Sequence, residues 1–257
     1  CVAAHPRKPR TSPLSNIRSV MNTKPKAIIS LFDHTGLAVK PWVESGYKGF
    51  IFDLQHTTSH DWTWQSNWVR VGSTADTWHD AISDVFANYN VVMVFGFPPC
   101  TDLAVSGAKH FAAKALANPN YRDDAMRLVY LTHDVAQAHG VPFMIENPIS
   151  VISSEWRKPD YMFNPCDYGG YLPMDDESLY PSVIPSRDAY TKKTCLWTGN
   201  GFVMPEPKPV EPERFTDRNG LNYAGPHWKL GGKSLRTKNI RSATPRGFAA
   251  AVFAANA

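Results

Sequence analysis

The sequence predicts an α/β protein built on a doubly wound, mostly parallel sheet, followed by a small irregular C-terminal region. Three observations carry this. Short apolar runs at Ala27 to Phe32, Phe50 to Phe52, Val91 to Phe95 and Phe143 to Ile145 have strand length. They are apolar on both faces, as parallel strands covered on both sides are. Helical patterns lie between them, and this alternation implies right-handed parallel crossovers. Finally, the residues that could carry chemistry stand where the chain leaves a strand, which is where open α/β sheets bind their ligands.

Composition bounds the rest. With 257 residues, 43% apolar and 19% charged, the chain can bury a sizeable core. Its net charge of +4 permits contact with a polyanion without demanding it. The four cysteines, Cys1, Cys100, Cys166 and Cys195, show no CxxC or Cys/His pairing. A zinc site or disulfide framework is therefore not expected, and a reducing, cytoplasmic home is. No run reaches the ~20 apolar residues of a membrane span, and no signal-peptide core is seen. Met21 reads as a natural start.

Taken in order, residues 1–26 read as a flexible basic arm, either solvated or touching phosphates. Ala27 to Phe32 is the first strand, ending in Asp33-His34-Thr35-Gly36 before a helix through Trp42 and Val43 to Gly46. A strand, tight turn and helix start can hold a nucleotide-like cofactor. The second strand ends at Asp53, about 20 residues after that turn, where an acid can bond ribose hydroxyls; a helix cap or loop carboxylate is the alternative. Thr57 to Trp68 reads as a loop with a short strand, and Val69 to Gly72 as a third strand, with Asp76 and Trp78 just beyond. A helix from Asp80 to Ala87 leads to the fourth strand. After Cys100, Asp102 to Gly107 reads as a mobile segment, and a long helix runs from Arg122 to His139, closed by Gly140. Another strand then delivers Glu146. Thr191 to Trp197 is a further strand, 204–235 is loop-like, and an Ala-rich helix from Pro245 to Ala257 follows Thr244 as cap.

Phe97-Pro98-Pro99-Cys100 is the segment on which the chemistry centres. Two prolines restrict how Cys100 can be presented. An incidental thiol after a Pro-rich turn is the plain alternative, but Glu146-Asn147-Pro148 delivers a carboxylate from the next strand in the same way.

These residues resemble the DNA cytosine C5-methyltransferases. Phe97-Pro98-Pro99-Cys100 with Ser106-Gly107 is similar to their Pro-Cys motif, and Glu146-Asn147-Pro148 to their Glu-Asn-Val motif. Ile29 to Gly36 stands at their first cofactor motif, and Asp53 at their ribose-binding acid. Asn164-Pro165, Tyr168-Gly169, Lys192-Lys193-Thr194 and Leu196-Trp197 resemble the later part of phage- and prophage-type members. The resemblance implies a class I methyltransferase, Rossmann-like fold in 27–200, a short target-recognition region in 201–240, and a returning helix in 241–257. It implies methyl transfer from S-adenosylmethionine to cytosine in DNA, the base flipped out or single-stranded, by a monomer without a membrane partner. Cys100, Glu146 and Asn147 would be catalytic. Phe32, Thr35, Gly36, Asp53, Asp76 and Pro98 would bind the donor, and Ser106, Lys192, Lys193, Lys233, Arg236 and Lys238 the substrate.

The chemistry agrees with those residue types. Cytosine C5 is a poor nucleophile until a thiolate adds to C6, and a carboxyl group at N3 can offset the charge that develops. The sequence also departs from the family. His34 stands at the first glycine of the cofactor turn, and Ser30 where an acid is usual, so close approach of a ligand should be crowded. No Gln-x-Arg-x-Arg is present; Lys192 and Lys193 are the nearest basic candidates and Arg187 a weaker one, against ordinary solvated lysines. The basic residues after Trp197, with Trp228, suit backbone contact and stacking and not elaborate base reading. Alternatives are a different one-carbon donor or a free nucleotide, and a DNA-binding relative without catalysis.

Overall fold

The computed structural model of the protein describes residues 24–56, 68–71, 77–216, 219–220, 222–225, 230 and 234–257. The basic arm as far as residue 23, the loop 57–67, Asp76, Trp228 and Lys233 lie outside them.

Seven strands form one sheet: β1 (Lys26–Leu31), β2 (Lys48–Phe52), β3 (Trp68–Val71), β4 (Asn90–Gly96), β5 (Phe143–Pro148), β6 (Tyr161–Phe163) and β7 (Thr194–Gly199). Their order is β3-β2-β1-β4-β5-β7-β6. The pairs from β3 through β5 are parallel, and β7 runs antiparallel to both β5 and β6. The chain reverses direction across the sheet between β1 and β4, so the loops after these two strands diverge and leave a crevice.

The period of two along each strand sorts the core into two layers. Ile29, Leu31, Phe50, Phe52, Val94 and Ile145 face one side, against α2 (Trp78–Asn88) and α4 (Tyr121–His139). Ile28, Ile51, Met93, Phe95, Met144 and Leu196 face the other, against α1 (Lys40–Glu44) and α7 (Arg246–Asn256). Both faces are thus covered, which is why the strands read as unbroken apolar runs. Trp42 and Trp78 are fully buried, one in each layer. Among the described residues no helix is long and apolar enough to cross a membrane.

Gly140 ends α4 in the left-handed conformation at φ 62, as the C′ position requires. Gly96, the last residue of β4, serves a different purpose: a Cβ there would fall on the Thr132 side chain of α4. Gly96→Ala is therefore expected to overpack this contact and lose roughly 1–3 kcal/mol, seen as a lower urea midpoint with an unchanged slope.

Several boundaries differ from those the sequence suggests. The segment after Cys100 is anchored: Leu103 is fully buried, Ala104 bridges Ser150, and the chain continues into α3 (Phe111–Ala117). The loop-like stretch 204–235 contains a small hairpin, β8 (Phe215–Thr216) with β9 (Asn222–Tyr223). A further helix, α6 (Leu235–Ser242), spans the boundary drawn at residue 240 and is capped by Ser234, whose hydroxyl accepts from Thr237 N at 3.2 Å. Pro245 occupies the N-cap of α7 with no side-chain cap, so Thr244, which is buried, does not serve as one. The last helix is fixed instead by Arg246, whose guanidinium makes 2.7 and 2.8 Å bonds to Asp176, and by Gly247 N donating to Asp188 at 2.8 Å.

Candidate active site

Cys100 owes its position to the two prolines. After β4 the chain runs extended through Pro99, and Cys100 opens a tight turn whose next amides, Leu103 N and Ala104 N, return to the Cys100 carbonyl at 3.1 and 2.8 Å. The strand beside it carries Glu146, and Gly96 of β4 registers with Ile145 of β5. A buried hydrogen bond ties the two loops together, Asn147 Nδ2 donating to the Pro98 carbonyl at 2.8 Å. Two further bonds stitch the segments beyond: Val105 N to Ile149 O at 3.1 Å and Val151 N to Leu103 O at 3.0 Å. Asn147 is thus a positioning residue for this pair of loops. Ser106 is exposed in the turn that follows, and Pro98 is buried.

A third strand edge contributes a cation. Lys192 Nζ lies 3.9 Å from Glu146 Oε1 and donates to the Arg241 carbonyl of α6 at 3.0 Å. Lys193 is exposed. Arg187 sits apart, in a turn at φ 55 where its backbone N–H donates to Asp176 at 2.6 Å.

Glu146 Oε1 is buried and accepts no hydrogen bond from the described residues. Desolvation raises its pKa above the ordinary carboxylate value, and the Lys192 charge offsets this only in part. The Cys100 thiol is also held above its ordinary value, first by desolvation and then by the Glu146 charge, while Lys192 and Arg241 pull it down. The residue as a whole is exposed, so the desolvation comes from protein crowded around the sulfur. A carboxyl and a thiol whose pKa values are both raised therefore share one basin with two cations. Such a constellation can deliver a proton and a nucleophile to the same small molecule.

The turn after β1 is organised around Asp33. Its buried carboxylate accepts from Gly36 N at 2.7 Å, Thr35 N at 3.1 Å and the Ser30 hydroxyl at 2.9 Å. Ser30 thus supports Asp33. Burial nevertheless leaves the Asp33 pKa above its ordinary value. Because these amides face Asp33, they do not form an outward phosphate cradle. Phe32 has φ 59 and lies 5.2 Å from the Trp78 ring, and Gly36 has φ 70. The His34 ring stacks on His56 at 5.6 Å, and the His34 carbonyl is 3.1 Å from His56 Nε2. Asp53 accepts from Gln55 N at 2.8 Å, a loop-capping contact. Gln55 in turn accepts from Asn239 of α6 at 3.0 Å.

α6 consequently roofs the carboxyl end of the sheet, and three hollows lie in line beneath it. The largest, about 550 Å³, is lined by His34 and Thr35, by Leu179 and Tyr180, and by Arg236 and Asn239. A narrow second hollow shares Leu37, Tyr180 and Ile240 with it. A third shares Ala243, Thr244 and Pro245 with the second and ends on Glu146 and Lys192. Arg236 thus lines the same hollow as the β1 turn, while Lys238 is exposed. The sequence singles out Asn147 as catalytic and counts Arg241 among the basic residues after Trp197, but gives no sign of Asn239, of the Asn147–Pro98 tie or of the placement of Arg241 beside Lys192. Among the described residues no group of three metal-ligating side chains comes together.

No family model matches the chain, and no curated protein matches it.

Proposed function

We propose that the protein methylates cytosine at C5 in DNA by way of a covalent cysteine adduct at C6. The observation that carries this reading is the pairing of Cys100 and Glu146 on neighbouring parallel strands, joined by the Asn147–Pro98 bond. The seven-stranded sheet with its one reversed strand is compatible with the class I methyltransferase fold that the motifs imply.

The chain's own groups account for the base chemistry. Cys100 first gives up its proton to solvent water, and thiolate attack of Sγ on C6 then forms a C–S bond and moves the C5–C6 π pair onto C5. The Glu146 carboxyl, whose pKa desolvation raises, carries the proton that N3 receives and so holds the ring charge low. Lys192 stabilises the carboxylate left behind. Once C5 carries the new methyl group, loss of the C5 proton to a water molecule, return of the N3 proton to Glu146 and departure of the thiolate restore the aromatic ring. A stacked base presents neither C5 nor C6, so the target must leave the helix or come from a single strand.

S-adenosylmethionine supplies an electrophilic methyl group when bound. The residues present fit such a ligand. The largest hollow is of nucleoside size, Phe32 and Asp53 stand at the ends of β1 and β2, and the turn lacks a phosphate cradle, which a nucleoside does not need. His34 supports a second reading, in which the same cysteine addition serves a different one-carbon donor or a free nucleotide.

The test is incubation with cytosine-containing DNA and labelled S-adenosylmethionine, followed by digestion to nucleosides. Label in 5-methylcytosine is expected. Unmodified DNA from folded protein rejects this reading and leaves the second.

A further inference from the structure

The hollow of about 550 Å³ has features that the base chemistry does not use. Its floor is the β1 turn, whose Thr35 and Gly36 amides are engaged by Asp33. Any anionic group in it must therefore be met by side chains. Arg236 lines it and is exposed, and among the described residues no carboxylate pairs with it. His34 lines the same hollow, and its Nδ1 is buried without a hydrogen-bond partner, a state that a bound polar group would relieve. Leu179 and Leu235, 55% and 59% exposed, also line the hollow and give it apolar walls. A cleft with apolar walls, a guanidinium and an unsatisfied imidazole suits a nucleoside bearing an amino-acid end.

We propose that Arg236, with His34, recognises the carboxylate of the methyl donor in this hollow. This rests on the donor reading above. A guanidinium and a carboxylate form charge-assisted, often bidentate bonds. In this arrangement His34 is a binding group in place of the glycine, and α6 closes the donor site while its Arg241 carbonyl holds Lys192 beside Glu146. Of the basic residues in the C-terminal region, Arg236 belongs to the donor, and Lys238 is left to face a polyanion.

The test is calorimetric titration of the full chain with S-adenosylmethionine and with its decarboxylated analogue, which keeps the nucleoside, sulfonium and ammonium. Wild type is expected to prefer the carboxylate-bearing ligand by roughly tenfold or more. Arg236→Gln is expected to bring the two ligands level while the analogue still binds, and Arg236→Lys to keep part of the preference. His34→Ala should narrow it too; higher affinity for both ligands would mean that His34 merely crowds the turn, and would overturn its part. Equal binding of the two ligands by wild type overturns the proposal and leaves the donor reading standing. An unchanged preference in Arg236→Gln, with a shallower salt dependence of DNA binding, overturns it in favour of a phosphate contact. Binding of neither ligand by folded wild type defeats the donor reading, and this proposal with it.

Discussion

Replacing Cys100 with serine is expected to lower methyl transfer to cytosine by about four or more orders of magnitude, the scale on which loss of a covalent nucleophile acts. The hydroxyl is close to isosteric, and Cys100 is exposed, so the thermal midpoint should stay near that of wild type. The adduct itself can be captured. On DNA containing 5-fluorocytosine the C5 position has no proton to lose after transfer, so the C–S bond persists and a protein–DNA species survives denaturing electrophoresis. Wild type should give this band in the presence of the donor and Cys100→Ser should not. A band from the serine variant would move the nucleophile elsewhere. The thiol's environment adds a pH signature. With its pKa raised above 9.0 by desolvation and by Glu146, the free protein holds a protonated sulfur at neutral pH. Iodoacetamide should label Cys100 slowly at about pH 7 and progressively faster through about pH 9 and beyond. Fast labelling at neutral pH would show that Lys192 and Arg241 dominate the local field instead.

The parts of this architecture that were legible in the sequence share a physical cause. A strand covered on both faces must be apolar at every position, so β1, β2, β4 and β5 announced themselves, and with them the strand ends bearing Asp33, Cys100 and Glu146. α6 did not. Leu235 and Ile240 are its only strongly apolar residues, and Ile240 and Thr237 alone are buried; its helix depends on Ser234 as cap and on contacts to distant loops. The electrostatics of the site was equally hidden. Asn147 and Pro98 are separated by 49 positions, and Lys192 meets Glu146 only because β7 returns antiparallel beside β5. Pattern reading could place Lys192 and Lys193 at a strand entrance but could not choose between them. The anchoring of the segment after Cys100 was missed for the same reason, since its partners lie beyond β5.

Glu146→Gln should separate the two consequences of placing a carboxyl group in a dry site. Glutamine keeps the shape and one donor but cannot transfer a proton, so turnover is expected to fall by about a hundredfold to ten-thousandfold. Binding of S-adenosylmethionine, proposed for the larger hollow beneath α6, should change little. Stability should move the opposite way. Glu146 has its pKa raised from 4.5 by burial, so the folded chain holds this proton more tightly than the unfolded chain does. The stabilisation linked to that proton is complete below the unfolded pKa and is lost as pH rises through the folded one. Glutamine never ionises. The variant should therefore melt above wild type at neutral pH, and the difference should shrink as pH falls below about 4.5. A variant less stable than wild type at neutral pH would mean that the Lys192 pair, at 3.9 Å, outweighs the cost of burying the charge. A Glu146→Gln enzyme both more stable and nearly inactive is the signature of a residue kept for chemistry at the expense of the fold.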